Sequence, residues 1–378
     1  MNILMVSHYF ESHRGGVEIV AGQLARAFTR LGHRVTWAAC DSDRPPGDRA
    51  TCERAVPLPA NNLLERRTGI PYPLPLPTAV GRLAREVRAA DAVLVQDGFY
   101  LPCLLAQRCA RQVGKPAVLV QHIGTVPYNN PILRLAMQLL SRLLTRPALA
   151  AADQVVFISE LTRRHFATLR FRRPPLVLFN GVDTSVFVPL PPGTDRSALR
   201  QALGLDPARP VILFVGRFVE KKGLQHLQQM ASCRPDWTWA LAGWGPIDPA
   251  AWSLDNVHVF SNRSGPTLAP LYQAADALVL PSVGEGFPLV IQEALACGLP
   301  VACGDDTATA DPAATPFLVG VPVRTTDPTA TAEAFMAAFD AILANRDAAL
   351  AQRQIRADFA RERYSWDKMA GSLLAAFR

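Results

Sequence analysis

Two carboxylates stand eight positions apart in PSVGEGFPLVIQEALACG (281–298), Glu285 and Glu293, with no lysine or arginine in the stretch to neutralise them. The segment follows the apolar run ALVLP and turns through Gly284-Glu285-Gly286 to Pro288, a residue suited to the first position of a helix. Gly286 permits backbone geometries closed to other residues. The amides of Gly286, Phe287 and Leu289 (Pro288 has none) then open a helix, where donors without intrahelical partners favour an anion, phosphate above all. Glu293 falls about a turn and a half further on. A carboxylate accepts two hydroxyls at once, as vicinal sugar hydroxyls require. The competing reading is local: Glu285 complements the helix dipole and Glu293 is a surface residue of the helix.

A second stretch, VGRFVEKKG (215–223), ends a strand at Gly216 and places Arg217 at its mouth, with Lys221 and Lys222 close behind. Cations there suit a diphosphate, whose charge as a leaving group needs stabilising; the alternative is a basic turn paired with Glu220. In GGVE (15–18), Gly15 and Gly16 let a ligand approach the backbone where a helix begins, or form an ordinary glycine turn whose Glu18 faces the helix dipole. His122 closes the strand-like LVQH, as a packed histidine or as a catalytic one. All four signals fall at the carboxyl ends of strands, a coincidence the local readings do not account for.

The elements that must position these residues alternate. NILMVS (2–7), HRVTWAAC (33–40), DAVLVQD (91–97), PAVLVQH (116–122), QVVFIS (154–159) and PLVLFNGVD (175–183) read as strands, with helical spacing between them, beginning at 17–32. The stretch 45–77 is proline-rich and carries no readable period. After the proline-rich FVPLPPGTD (187–195), a linker by composition, a second alternation follows, with strands at 210–217, 238–245, 257–261, 275–282 and 300–305. Repeated apolar strands separated by helices imply parallel sheets covered on both faces. The expectation is α/β, two Rossmann-like doubly wound domains facing across a cleft: 1–185, and 186–364, with the last helical stretch, about 365–378, packing back on the first domain.

Length and composition agree. A chain of 378 residues, 49% hydrophobic and 19% charged, is too long for one ordinary core and comfortable for two. No apolar run reaches the roughly 18 residues of a membrane span. MNILMVSHYF lacks a basic leader and a small-residue cleavage site and reads as a strand. Seven cysteines without CxxC spacing argue against a disulfide framework or zinc site and for a reducing cytoplasm. Residues 1–185 hold 23 Lys and Arg against 13 Asp and Glu, whereas 186–378 hold 16 against 19. The basic front half either meets an anionic partner or is a solvated arginine-rich surface. Within it, the helical stretch from Pro131 carries Arg134, Arg142 and Arg146 among leucines. It either faces the core or lies on an anionic membrane.

These motifs together resemble those of retaining glycosyltransferases of the GT-B fold, family 4 type. PSVGEGFPLVIQEALACGLPV is similar to that family's E-x7-E segment, VGRFVEKKG to its diphosphate-binding motif, FNGVDTSVFVP to its interdomain signature and HYFESHRGGVE to its N-terminal glycine loop. The resemblance runs over nearly the whole chain. It departs at 45–77 and after 303, where GDDTATADPAATP replaces the family's usual G-G-x-P-E stretch. It implies a hexosyl-type transferase that moves a sugar from a nucleoside-diphosphate donor to a hydroxyl-bearing glycan or lipid-linked acceptor, without metal or cofactor. It implies that Glu285 contacts the donor sugar, Glu293 the ribose, Arg217 and Lys222 the diphosphate, and that His122 lies near the sugar. Gly15, Gly16, Gly216, Gly243, Gly286, Phe287 and Leu289 would line the donor. DSD (41–43) resembles a metal-binding DxD only superficially, since it follows the second strand of this pattern. The expected location is cytoplasmic, at the inner membrane face if the stretch from Pro131 lies on the bilayer and away from it if that stretch faces the core. A nucleotide-sugar epimerase on the same fold and a non-catalytic nucleotide-sugar sensor are the alternatives. A nucleic-acid-binding role finds no recognised module.

Overall fold

The computed structural model describes residues 1–68, 70–124, 130–324 and 326–378, with backbone alone for Thr68, Arg346 and Asp347. The chain divides into two compact units, Met1–Asn180 with Trp366–Arg378, and Gly181–Ser365. The proline-rich 187–195 lies inside the second unit, where the Gln273 side-chain amide donates to the Val188 carbonyl at 3.1 Å.

The first unit is built on a parallel sheet of β1 (Asn2–Val6), β2 (Arg34–Cys40), β3 (Arg54–Leu58), β4 (Ala92–Gln96), β5 (Ala117–Gln121), β6 (Gln154–Phe157) and β7 (Leu176–Val177), in the order β3-β2-β1-β4-β5-β6-β7. The central strands are buried end to end, which is why they read as unbroken apolar runs rather than alternating ones. In α1 (Gly16–Arg30), Val17, Val20, Ala21, Leu24 and Phe28 recur at helical spacing and are buried; the helix stops at Gly32, whose φ of 80° only glycine takes without strain. Helices α2 (Pro77–Ala89) and α3 (Leu101–Gln112) pack on one another and on the sheet. The last helix of the chain, Trp366–Ala376, packs on α1 and buries Trp366, Met369, Ala370 and Leu373.

Two elements differ from their sequence reading. The unpatterned 45–77 contains the edge strand β3, aligned with β2 from Thr36↔Arg54 to Cys40↔Leu58, and a short antiparallel pair, Ala60–Asn61 with Leu74–Pro75. The long helical stretch is α4 (Pro131–Leu140), then a wider turn at Ser141–Thr145, then helix again over Arg146–Ala151. It is not a core helix at its start: no residue of α4 is buried.

The second unit repeats the plan. Its parallel sheet is β8 (Val211–Arg217), β9 (Thr238–Trp244), β10 (Val257–Phe260), β11 (Ala277–Leu280), β12 (Val301–Gly304) and β13 (Leu318–Val321), ordered β10-β9-β8-β11-β12-β13. Around it lie α5 (Leu224–Cys233), α6 (Ala269–Ala274), α7 (Leu289–Ala296), α8 (Pro328–Ala344) and α9 (Arg353–Arg363). The edge strand β13 has no counterpart in the sequence reading. Asp276 pins the amino ends of β8 and β11: its carboxylate accepts from the Val211 amide at 2.8 Å and from the Arg200 guanidinium at 2.6 Å, all buried. In each sheet the strand order reverses beside the first strand, between β1 and β4 and between β8 and β11, and the carboxyl ends there are where such sheets take ligands.

Candidate functional site

In the second unit the site grows from how closely β8 and β9 approach. Gly216 faces Gly243 across the parallel pair, and Arg217 faces Trp244. A Cβ on Gly243 would lie 1.9 Å from the Gly216 carbonyl, and one on Gly245 would lie 2.3 Å from that of Phe218. Gly243 is therefore required by packing. The same approach seats the Arg217 guanidinium over the Trp244 ring, 4.8 Å from its centroid, a cation–π contact that fixes the arginine's stem. The Arg217 Nε is buried without a hydrogen-bond partner among the described residues.

Beyond Arg217 a single tight turn, Glu220–Lys222, is closed by Gly223 with φ 76°. A side chain there would meet the Pro281 carbonyl at 2.4 Å, so glycine lets this turn press on the end of β11. The Val283 amide, donating to the Lys221 carbonyl at 3.2 Å, joins the two loops. The junction brings Lys222 Nζ to 2.8 Å from Glu285 Oε1, both side chains 15% exposed. Burial acts to raise the Glu285 carboxyl, but the charges of Lys222 and Lys221 outweigh it and hold it below its ordinary value. The left-handed position of this turn is Gly284, φ 70°, which takes the conformational role expected of Gly286. Phe287 is buried, its ring 5.6 Å from that of Tyr364.

Pro288 caps α7 rather than opening it, and the helix begins at Leu289. Its first amides lie on the same loop as Glu285, adding donors to the cations. Glu293, within α7, pairs elsewhere: the buried Tyr272 hydroxyl donates to its Oε2 at 2.6 Å. Burial pushes the Glu293 carboxyl up to about 7, with the Tyr272 hydrogen bond pulling the other way. The two carboxylates of the opening stretch are thus chemically unlike, one held ionised by lysines and one holding its proton near neutrality. Neither is a bland surface acid. Sequence reasoning missed Trp244 and Tyr272; the only trace of the first is its place between Gly243 and Gly245, and the second lies in a plain helical run.

In the first unit the carboxyl ends of β1, β4 and β5 gather a buried polar cluster. His8 Nε2 lies 2.7 Å from Glu18 Oε1, and the His8 ring stacks on Tyr100 at 3.6 Å. Burial works against the Glu18 charge, yet His8 holds its carboxyl below the usual value. Glu18 is a buried partner of His8, not a dipole-facing surface acid. Gly15 and Gly16 separate in role: a Cβ on Gly15 would meet Glu18 Oε2 at 2.2 Å, whereas one on Gly16 meets nothing within 4 Å and leaves open space at the start of α1. His122 is buried, with Nε2 at 2.7 Å from Gln96 Oε1. The acids of DSD staple loops: Asp41 accepts from the Ala60 amide at 3.1 Å and Asp43 from His13 at 2.9 Å. Among the described residues no three His, Cys, Asp or Glu side chains gather as a metal ligand set.

Residues 14–186 match the family model described as Glycosyltransferase Family 4, and residues 209–345 the one described as Glycosyl transferases group 1. The chain is 34% identical over 165 residues to the D-inositol 3-phosphate glycosyltransferase of Mycobacterium sp. (strain KMS), covering 40% of this chain and 36% of that protein's length. It is 28% identical over 327 residues, 80% of either chain, to the GDP-mannose-dependent alpha-(1-6)-phosphatidylinositol monomannoside mannosyltransferase of Mycolicibacterium smegmatis. The fold is that of the sucrose-phosphate synthase from Thermosynechococcus elongatus, with TM-score 0.75 at 19% identity over 100% of this chain and 98% of that one. This is the GT-B fold.

Proposed function

We propose that this chain, whose two units are glycosyltransferase domains of the GT-B fold, moves a sugar from a nucleoside-diphosphate donor to a hydroxyl of a glycan or lipid-linked acceptor, with retention of configuration. The observation that carries the reading is the Lys222–Glu285 pair, with Arg217 as the last residue of β8, at the ends of β8 and β11 where a doubly wound sheet takes its ligand. Arg217 and Lys222 receive the diphosphate, aided by the first amides of α7. As the bond from the anomeric carbon to phosphate breaks, their charge stabilises the leaving group and fills the place a metal would take. Lys222, drawn to phosphate, frees Glu285 to accept from sugar hydroxyls. Glu293 accepts from the ribose. The inositol-phosphate and phosphatidylinositol acceptors named for the relatives support a polyol or lipid-linked acceptor.

A peripheral place on the cytoplasmic membrane face fits the first unit. From Gly98 to Ala152 there is no acid, while Arg134 and Arg142 flank Ile132, Leu135, Leu139 and Leu143, which are 54% to 79% exposed on one helical face. Apolar side chains and arginines without opposing acids suit an anionic bilayer surface. All seven cysteines are free, as a reducing compartment allows. In flotation, the chain is expected to rise with vesicles containing phosphatidylglycerol and to stay down with phosphatidylcholine alone. Equal flotation would remove the electrostatic argument, and Leu135→Ser with Leu139→Ser should release the protein.

The reaction is tested by following nucleoside diphosphate from a panel of nucleotide sugars, with and without acceptor extract. Release only with acceptor supports transfer. Conversion of the donor without acceptor marks an epimerase, and binding without turnover marks a sensor.

A further inference from the structure

Gln96 ends β4 and His122 directly follows β5; Gln96 is in register with Val120, and His122, two positions on, falls on the same face of the sheet. Both are buried, Gln96 completely. The 2.7 Å contact runs from His122 Nε2 to Gln96 Oε1, and an amide oxygen only accepts. Nε2 therefore carries the hydrogen. Burial pushes the His122 imidazole down to about 3, so at neutral pH the ring has this one hydrogen and its Nδ1 keeps a lone pair. The Gln96 Nε2 has no partner among the described residues, so the other end of the amide forms no competing bond.

We infer that Gln96 is a positioning residue: its side-chain carbonyl fixes His122 as the Nε2–H tautomer and thereby presents Nδ1 as a hydrogen-bond acceptor for a hydroxyl at the end of β5. The ligand half of this inference rests on the transferase reading; the tautomer half does not. Among the described residues the charged groups that bear on the ring are Glu18 from α1, which favours its protonation, and His8, just after β1, which opposes it. Asp97, after β4, sits in the same cluster with φ 77°; its carboxyl accepts from Gln121 Nε2 at 2.9 Å and from the Phe99 amide at 3.0 Å. None of these takes the Nε2 hydrogen, so the choice of tautomer falls to Gln96.

The test is long-range nitrogen–proton NMR of the full chain labelled at histidine nitrogens, with the His122 signals assigned by their loss in His122→Gln. Wild type should show one pure Nε2–H tautomer, unchanged from pH 6 to pH 9. Gln96→Met should mix the tautomers and lower acceptor-dependent kcat roughly 10- to 100-fold with the donor KM unmoved, since a misplaced partner costs on that order. Gln96→Glu keeps an accepting oxygen; it should restore the pure tautomer and much of the turnover at pH 8, and add a histidine ionisation to the pH profile. A wild-type Nδ1–H tautomer, or a Gln96→Met protein still purely Nε2–H, would overturn the inference. If Gln96→Met does not fold, the wild-type and Gln96→Glu spectra decide. Should the wild type prove inactive on every donor, the spectra still test Gln96 while the transferase reading fails alone.

Discussion

At the scale of single residues, the two glutamates of one segment behave oppositely because their neighbours differ. Glu285 has lysine within 2.8 Å, and Glu293 has a buried phenol. For Glu293 the sign is definite. Its folded-state value, about 7, lies above its ordinary 4.5, so between those limits the folded chain holds a proton that the unfolded chain has released. Stability of the second unit should therefore fall as pH rises from about 4.5 to 7, and Glu293→Gln should flatten that slope in urea titrations. Ligand binding has the reverse dependence. The carboxylate accepts from two ribose hydroxyls more strongly than the acid does, so nucleotide affinity should rise roughly three- to tenfold from pH 6 to pH 8 by calorimetry. An equal rise in Glu293→Gln would assign the effect to the phosphate instead. The residue types and their spacing were legible in the sequence. Their pairing was not, because Tyr272 and Trp244 reach the site through β-sheet neighbours and packing that no local pattern encodes.

At the scale of elements, most strands and helices were legible because buried parallel strands leave unbroken apolar runs. The exceptions share a cause. β3 and β13 are edge strands, and β13, LVGV, is four residues long with two of them exposed, so neither leaves a full apolar run. The glycines show a further limit: sequence placed them at a ligand, whereas geometry separates those that permit packing from those that leave room. Gly243→Ala would force a methyl onto the Gly216 carbonyl and should cost roughly 1–3 kcal/mol in chemical denaturation. Gly16→Ala meets nothing within 4 Å, so it should fold with wild-type stability in the same measurement. Arg200 belongs at this scale too: Arg200→Met takes one of two guanidinium partners from the buried Asp276, which keeps Arg196 at 2.9 Å, and should cost about 1.5–3 kcal/mol in chemical denaturation.

At the scale of the whole molecule, a parallel α/β sheet occurs in each unit and the two units differ in charge. The first unit carries the basic excess, the acid-free exposed helix and the buried histidine cluster; the second carries the cationic and carboxylate pair. The proposed function assigns the anionic membrane and the acceptor to the first unit and the nucleotide sugar to the second. Its most direct test is turnover of the purified chain on the nucleotide sugar that binds it, measured as acceptor-dependent nucleoside diphosphate release in wild type, Arg217→Ala and Lys222→Ala, each first shown to be folded. The expected result is a fall of roughly 100- to 1,000-fold in kcat for either variant, the cost of losing one preorganised charge-stabilising donor. Folded variants that turn over at the wild-type rate would contradict the account.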